Sequence, residues 1–211
     1  LFELPNSITK VTKAYFEPSL DYIVVKIPRW DLKKFRQVRR QIGSAMKSVG
    51  EVMSIGRTFE EALQKALRML ETGAKGLVGN TRWQFDDVEL ELSQPTDERI
   101  FAVVQALQKG LSVDRIHELS HIDRWFLHKI DRVVNINRAL EELKKQSVPF
   151  ELLREAKRAG FSDDQIAIAT ETMTESVRDY RRGLGLKPFV RQIDTLGAEY
   201  PAYTNYLYLS Y

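Results

Sequence analysis

His117, Glu118 and His121 sit in the stretch "HELSH" at the spacing of the two-histidine zinc-hydrolase signature. That chemistry needs both imidazoles on one face of an unbroken helix, together with a third ligand. The local sequence argues against it. Ser120 and Asp123 form an N-cap pair for the helix that carries Trp125, which ends the preceding helix near Leu119 and aims the two histidines apart. The extended form of the motif also fails, because Arg124 and Leu127 stand where Gly and His are required. With no Cys in the chain, thiolate metal sites, a Cys nucleophile and disulfides are excluded, and a reducing compartment fits. No metal is expected at these histidines, and no catalytic role for them.

A second chemistry to weigh is nucleic-acid binding. Lys and Arg number 32 against 29 Asp and Glu, so the excess is only three charges spread over 211 residues. Binders of nucleic acid concentrate charge on one face. The segment "RDYRRGLGLK" at 178–187 is basic, and the helical region ahead of it has a helix-turn-helix rhythm. A recognition helix, however, must offer side chains to bases and phosphates, and "DDQIAIATETMTES" is acidic or neutral. A stand-alone helical nucleic-acid-binding protein is therefore the alternative reading.

The elements that would position these residues fall into two compositions. Tyr22–Ile27 reads as a strand stopped by Pro28, and Val49–Ile55 as a second one stopped by Gly56. Thr58 and Glu61 form a capping box for a helix whose apolar face is Phe59, Ala62, Leu63, Ala66, Leu67 and Leu70. Gly73, Gly76 and Gly79 end it, and 73–94 reads as a connecting loop. From Pro95 the chain reads as helical, with a repeat at a period of fifty: "GLSVDRI" at 110–116 matches "GFSDDQI" at 160–166. In each unit Gly ends one helix in a left-handed conformation and Ser caps the next. The tail "NYLYLSY" alternates as a strand. The fold class is α+β, mainly α, with two helix-turn-helix-like units. Forty-three per cent hydrophobic residues suffice for a core. With no initiating Met, secretory leader or long apolar run, the expectation is a soluble internal piece of a longer protein, with no membrane partner.

The long helix "IDRWFLHKIDRVVNINRALEELKK" carries apolar residues over about 200° of its circumference. Either several helices enclose that stripe, or part of it faces another domain or subunit. Phe126, Ile130 and Val133 fall near the middle and are expected in the core. Trp125, Leu127 and Val134 lie toward the margins and are the interface candidates.

Taken together, "FEPSLDYIVVKIPRWDLKKF", "IGSAMKSVGEVMSIGRTFEEALQKALR", "IDRWFLHKI", "GFSDDQIA" and "QIDTLGAEYPAYTNYLYLSY" resemble the large synthetase chain of carbamoyl phosphate synthetase over essentially the whole length, with wording nearest the pyrimidine-pathway multifunctional form. The resemblance implies two ATP-grasp halves flanking a helical oligomerisation domain. The first half makes carboxyphosphate from bicarbonate and ATP, ammonia from a glutaminase converts it to carbamate, and the second half phosphorylates carbamate. It places 1–72 at the end of the first half, 95–188 in the oligomerisation domain and 189–211 as the lead-in to the second half. The ATP and Mg²⁺ of the parent enzyme belong to a motif of the type E-x-N-x-R that would precede Leu1, so this fragment is expected to be inactive. Gly50 and Gly56 would allow close backbone approach, and Glu51 and Arg57 are candidate ion partners. Glu17 of "FEPS" matches a carboxylate along the family's carbamate tunnel, although a turn residue before Pro18 explains the same letters. The implied partners are the rest of the synthetase chain, a glutaminase domain or subunit, and further copies in a homo-oligomer, in the cytoplasm.

Overall fold

In the computed structural model, which describes residues 2–15, 20–34, 37–201 and 203–211, the β-branched run of the first segment forms β1 (Ile23–Arg29). It pairs antiparallel with β2 (Gly50–Gly56), in a register from Ile23 opposite Gly56 to Arg29 opposite Gly50. Pro28 does not stop the strand but sits within it, opposite Glu51. Among the described residues β1 has a strand on one side only, and an edge strand tolerates a residue without an N–H.

Helix α1 (Phe59–Met69) follows, with Thr58 Oγ1 accepting from Glu61 N at 3.2 Å. The expected box closes one residue early, because Glu61 Oε2 accepts from Arg57 N at 2.8 Å. Ala62, Leu63, Ala66, Leu67 and Leu70 are buried as the periodicity requires, and Phe59 is half-buried. Glu60, Glu61 and Gln64 are buried as well, so α1 is covered on both sides. It packs on both strands of the β1–β2 hairpin and on the later helix Arg124–Glu141, and Gln64 reaches the turn at Ala159. The segment 73–94, expected to be a loop, carries α2 (Val88–Ser93), which is N-capped by Asp87, and it buries Leu77, Val78 and Trp83. Single side chains inserted from irregular backbone leave no period to read.

The helical part comprises α3 (Arg99–Gln108), α4 (Val113–Ser120), α5 (Arg124–Glu141), α6 (Phe150–Arg158), α7 (Asp163–Thr170) and α8 (Thr174–Gly183). With two two-stranded sheets and eight α-helices among the described residues, the fold is α+β and mainly α. The fifty-residue repeat is real. Gly110 and Gly160 adopt φ of 88° and 86°, with Leu111 N donating to Ala106 O and Phe161 N to Ala156 O, each at 3.0 Å. Ser112 and Ser162 then cap α4 and α7. A Cβ on Gly160 would stand 2.8 Å from Glu61 Cα, so α1 crosses directly over this turn. The crossing is sealed by two buried glutamines. Gln64 Nε2 donates to Ala159 O (2.9 Å), while Gln165 Nε2 donates to Gln64 Oε1 (2.8 Å) and Val78 O (3.1 Å). The tail pairs β3 (Phe189–Gln192) with β4 (Leu207–Ser210) antiparallel, with Tyr208 and Ser210 inward as the alternation requires.

The reading of α5 needs correction. Leu127 and Val134, expected at a contact margin, are 0% exposed, whereas Phe126, expected in the core, is 42% exposed. α5 packs against α1, α3, α4, α6 and α7, so neighbours enclose the whole stripe along most of its length. At its first turn Phe126 stays part-exposed beside the rings of Phe59 and Trp125. Periodicity gives the angle of a side chain about the axis but not how far along that axis the neighbours extend.

Two buried cations, Lys157 and Arg181, and the partly buried Asp163 fasten α6, α7 and α8. Asp163 accepts from Arg181 Nε (3.0 Å) and Nη2 (2.9 Å) and from Lys157 Nζ (2.9 Å), and Lys157 also donates to Phe161 O (2.7 Å). Burial alone would raise the Asp163 carboxyl, but the hydrogen bond from Arg181 and the charge of Lys157 hold it below its ordinary value. Burial pulls Lys157 below its own ordinary value, against the pull of Asp163.

Two outcomes follow for thermal denaturation. Leu127→Ala should cost about 2–5 kcal/mol and Phe126→Ala only about 1–2 kcal/mol, while Leu127→Asp combined with Val134→Asp should abolish the cooperative transition rather than dissociate an assembly. Asp163→Asn should cost about 3–5 kcal/mol at neutral pH, because two cations are left buried. A depressed carboxyl pKa stabilises the fold above the unfolded value of 3.8 and loses that contribution as pH falls through the folded value, so the melting curves of wild type and variant should converge in acid.

Candidate functional site

The "HELSH" histidines do not converge. α4 runs through Ser120, one residue past the expected break, and closes on His121 in the left-handed conformation (φ 57°). Of the expected Ser120/Asp123 pair, Asp123 is the N-cap of α5, its Oδ1 accepting from Trp125 N at 2.8 Å, while Ser120 Oγ accepts from Ile122 N at 3.2 Å. His117 Nδ1 lies 2.7 Å from Ile122 O, and since a carbonyl only accepts, this nitrogen carries the proton. Glu118 faces Arg115 at 3.4 Å. Among the described residues no group of three or more His, Asp or Glu could hold a metal ion.

Of the three interface candidates, only Trp125 reaches the surface, at 49% exposure. It forms an aromatic ridge with Phe59 and Phe126, whose ring centroids lie 5.0–5.3 Å apart, and Lys129 Nζ sits 5.3 Å from its ring. Beneath the ridge is buried Glu60, whose Oε1 is 3.4 Å from Arg132 and 3.7 Å from Lys129. Glu17 lies outside the described residues. Glu51 and Arg57, proposed as ion partners, pair with Lys26 (2.9 Å) and Asp21 (2.6 Å), and Glu51 is exposed. Gly50 has open space around it, while a Cβ on Gly56 would stand 3.0 Å from both Ala62 N and Glu61 Oε2. Only Gly56 answers the need for close approach.

A cleft of about 680 Å³ lies between β1 and the helices, with Leu63, Leu67, Phe101 and Ile130 among its apolar lining. Of the four acids in its lining, Asp31, Asp97 and Glu98 are committed to cations, and Glu71 stands beside them. Glu98 accepts from Lys33 (2.7 Å), Arg40 (2.6 Å) and Trp83 Nε1 (2.9 Å); burial would raise its pKa, but these donors keep it below the ordinary range. Asp97 faces Arg40 at 3.2 Å and Asp31 faces Lys34 at 2.7 Å. These ion pairs tie Lys33 and Arg40 to the start of α3.

The polar centre that sequence reasoning missed is on α1. Glu61 and Lys65, four residues apart and 2.7 Å from one another, bind groups from β2 and β4 as well. The four-residue spacing alone reads as an ordinary surface pair; only the burial of Glu61, at 2% exposure, distinguishes it.

A family model described as the carbamoyl-phosphate synthetase large chain, oligomerisation domain, matches residues 51–185. The match starts within β2, so α1 falls inside it, ahead of the boundary drawn at residue 72. The chain is 54% identical to a mitochondrial arginine-specific carbamoyl phosphate synthase large chain of Neurospora crassa, over 99% of this chain and 18% of the relative. It is 52% identical to the multifunctional protein ura1 of Schizosaccharomyces pombe, over 100% of this chain and 9% of the relative. It is also 52% identical to the multifunctional protein CAD of Squalus acanthias, over 99% and 9%. The chain thus spans less than a fifth of the length of these relatives, and arginine-specific and multifunctional forms match almost equally. With the helical repeat, its caps and the full-length similarity in agreement, the chain belongs to the carbamoyl phosphate synthetase large-chain family.

Proposed function

We propose that this chain is a non-catalytic, structural portion of a glutamine-dependent carbamoyl phosphate synthetase, which combines bicarbonate, glutamine-derived ammonia and two ATP for pyrimidine or arginine biosynthesis in the cytoplasm. The supporting observation is how its charged groups are used. The acids Glu60, Glu61, Glu98 and Asp163 each face cations that belong to the scaffold. Phosphoryl transfer needs cations and Mg²⁺ ligands free to meet the nucleotide. In this reading ATP and Mg²⁺ bind elsewhere in the parent, whose remaining synthetase segments and glutaminase are the partners. Glu17 keeps its proposed place along the carbamate passage. Nucleic acid has no part: most of α7, the helix that would enter a groove, is buried, and its first turn holds Asp163 and Asp164.

Self-association is assigned to the aromatic ridge at Trp125, the candidate that stays on the surface. Aromatic residues are the common anchors of such contacts. Trp125→Asp should lower the sedimentation coefficient at matched concentration while leaving the melting temperature nearly unchanged. An unchanged coefficient would remove the ridge from the interface. The purified 1–211 chain should hydrolyse no ATP in the presence of bicarbonate, and the intact parent should; bicarbonate-stimulated turnover by the fragment that survives further purification would overturn the structural role.

A further inference from the structure

All three N–H donors of one lysine are used, each by a different part of the chain. Lys65 Nζ donates to Glu61 Oε1 on its own helix (2.7 Å), to Ile55 O in β2 (3.0 Å) and to Leu209 O in β4 (2.6 Å). An ammonium has three donors and no more. Glu61 mirrors this arrangement, with Oε2 accepting from Arg57 N (2.8 Å) and from Ser210 Oγ (3.1 Å), a residue 149 positions away. The backbone therefore enters α1 from β2, and β4 returns 144 positions after Lys65 to the same two side chains.

β2 and β4 belong to different sheets and share no ladder. A groove of about 590 Å³ lies between them, lined by Met53, Met69, Leu207 and Leu209, and Lys65 spans it. Phe189, Val190, Leu207 and Leu209 are exposed, so the β3–β4 hairpin buries little apolar surface against the body. Apolar contact is non-directional, whereas charge-assisted hydrogen bonds fix distance and angle. Lys157 and Arg181 also stand over the Tyr211 ring, at 4.9 and 5.5 Å, beyond the end of the strand. They hold the chain there but do not reach β2. Gly56 belongs to the same device, because a side chain at that corner would meet the Glu61 carboxylate.

We infer that the Glu61–Lys65 pair is a clasp that fixes the strand leaving the helical domain against the strand entering it, and that Lys65 is a positioning residue coupling the segments on either side. The catalytic consequence rests on the synthetase reading above. If the flanking segments carry successive steps, an error in their relative placement lets an intermediate formed by one be lost before it reaches the other. ATP is then hydrolysed without product.

The test has two arms. In the 1–211 chain, Lys65→Met should sharply reduce hydrogen-exchange protection of the Leu207–Ser210 amides, while α3, α5 and α7 keep theirs; Lys65→Arg should restore much of it. In the intact parent synthetase, Lys65→Met should raise the ATP hydrolysed per carbamoyl phosphate formed several-fold, again with rescue by Lys65→Arg. A purely structural defect would lower both quantities together and leave their ratio unchanged. Should Lys65→Met fail to fold, Ser210→Ala removes a single bond of the clasp and is read in the same way. Unchanged protection of β4 overturns the clasp, and loosened β4 with an unchanged ratio overturns the coupling role. A wild-type parent without bicarbonate-dependent ATP turnover overturns the synthetase reading and leaves the exchange result standing.

Discussion

The passage of α1 over the glycine turn between α6 and α7 is the constraint on which the rest of the structure depends. The backbones approach so closely that no side chain fits at Gly160, and buried polar groups on α1 must then find partners within reach. Gln64 and Gln165 supply them for the turn and for the 73–80 loop, where a Cβ on Gly76 would stand 2.6 Å from both amides. An unpaired amide in this position would cost about 1–3 kcal/mol. The pairing is therefore specific as well as stabilising: it fixes the register of α1 against α7, and through α1 the hairpin on its other side.

Seen this way, the boundary between a strand-bearing segment and a helical one is not a break in the fold. α1 is continuous in sequence with β2, packs on α5 and is hydrogen-bonded to α7 through Gln64 and Gln165. Arg29 Nη1 donates to Leu70 O at 2.9 Å and Ser54 Oγ to Ala62 O at 2.7 Å, so both strands of the hairpin are fastened to the same helix. A two-stranded hairpin is marginal by itself, and its stability here is borrowed from α1.

Local signals were legible in the sequence where one residue type answers one backbone need. The left-handed glycines at 110 and 160, the serine caps at 112 and 162 and the alternation of β4 are all of this kind. Features set by distant segments were not. The sequence could not show that α5 is enclosed at Leu127 and Val134 and uncovered at Phe126, because coverage along a helix axis depends on the lengths of its neighbours. Nor could it show that Glu61 and Lys65 are more than an i,i+4 pair, because their other ligands lie beyond local reach, at Leu209 and Ser210. Trp83 was hidden for a third reason. It lies in irregular chain, yet stacks on Phe101 at 3.8 Å and donates to Glu98.

The polar centres at Asp163 and at Glu61–Lys65 differ in what they contribute. At Asp163 the ions are enclosed by one compact set of helices, and an apolar replacement of matching shape could hold α6, α7 and α8 together as well. At Glu61–Lys65 no such exchange works. Its job is to hold backbone carbonyls of two unpaired strand edges at a set distance across a groove, and an apolar side chain makes no directed bond to a carbonyl. The first centre can be explained by stability alone, whereas the second makes physical sense only if the relative placement of β2 and β4 matters. That asymmetry, rather than any resemblance to an active site, sets the lysine apart from the ions around Asp163.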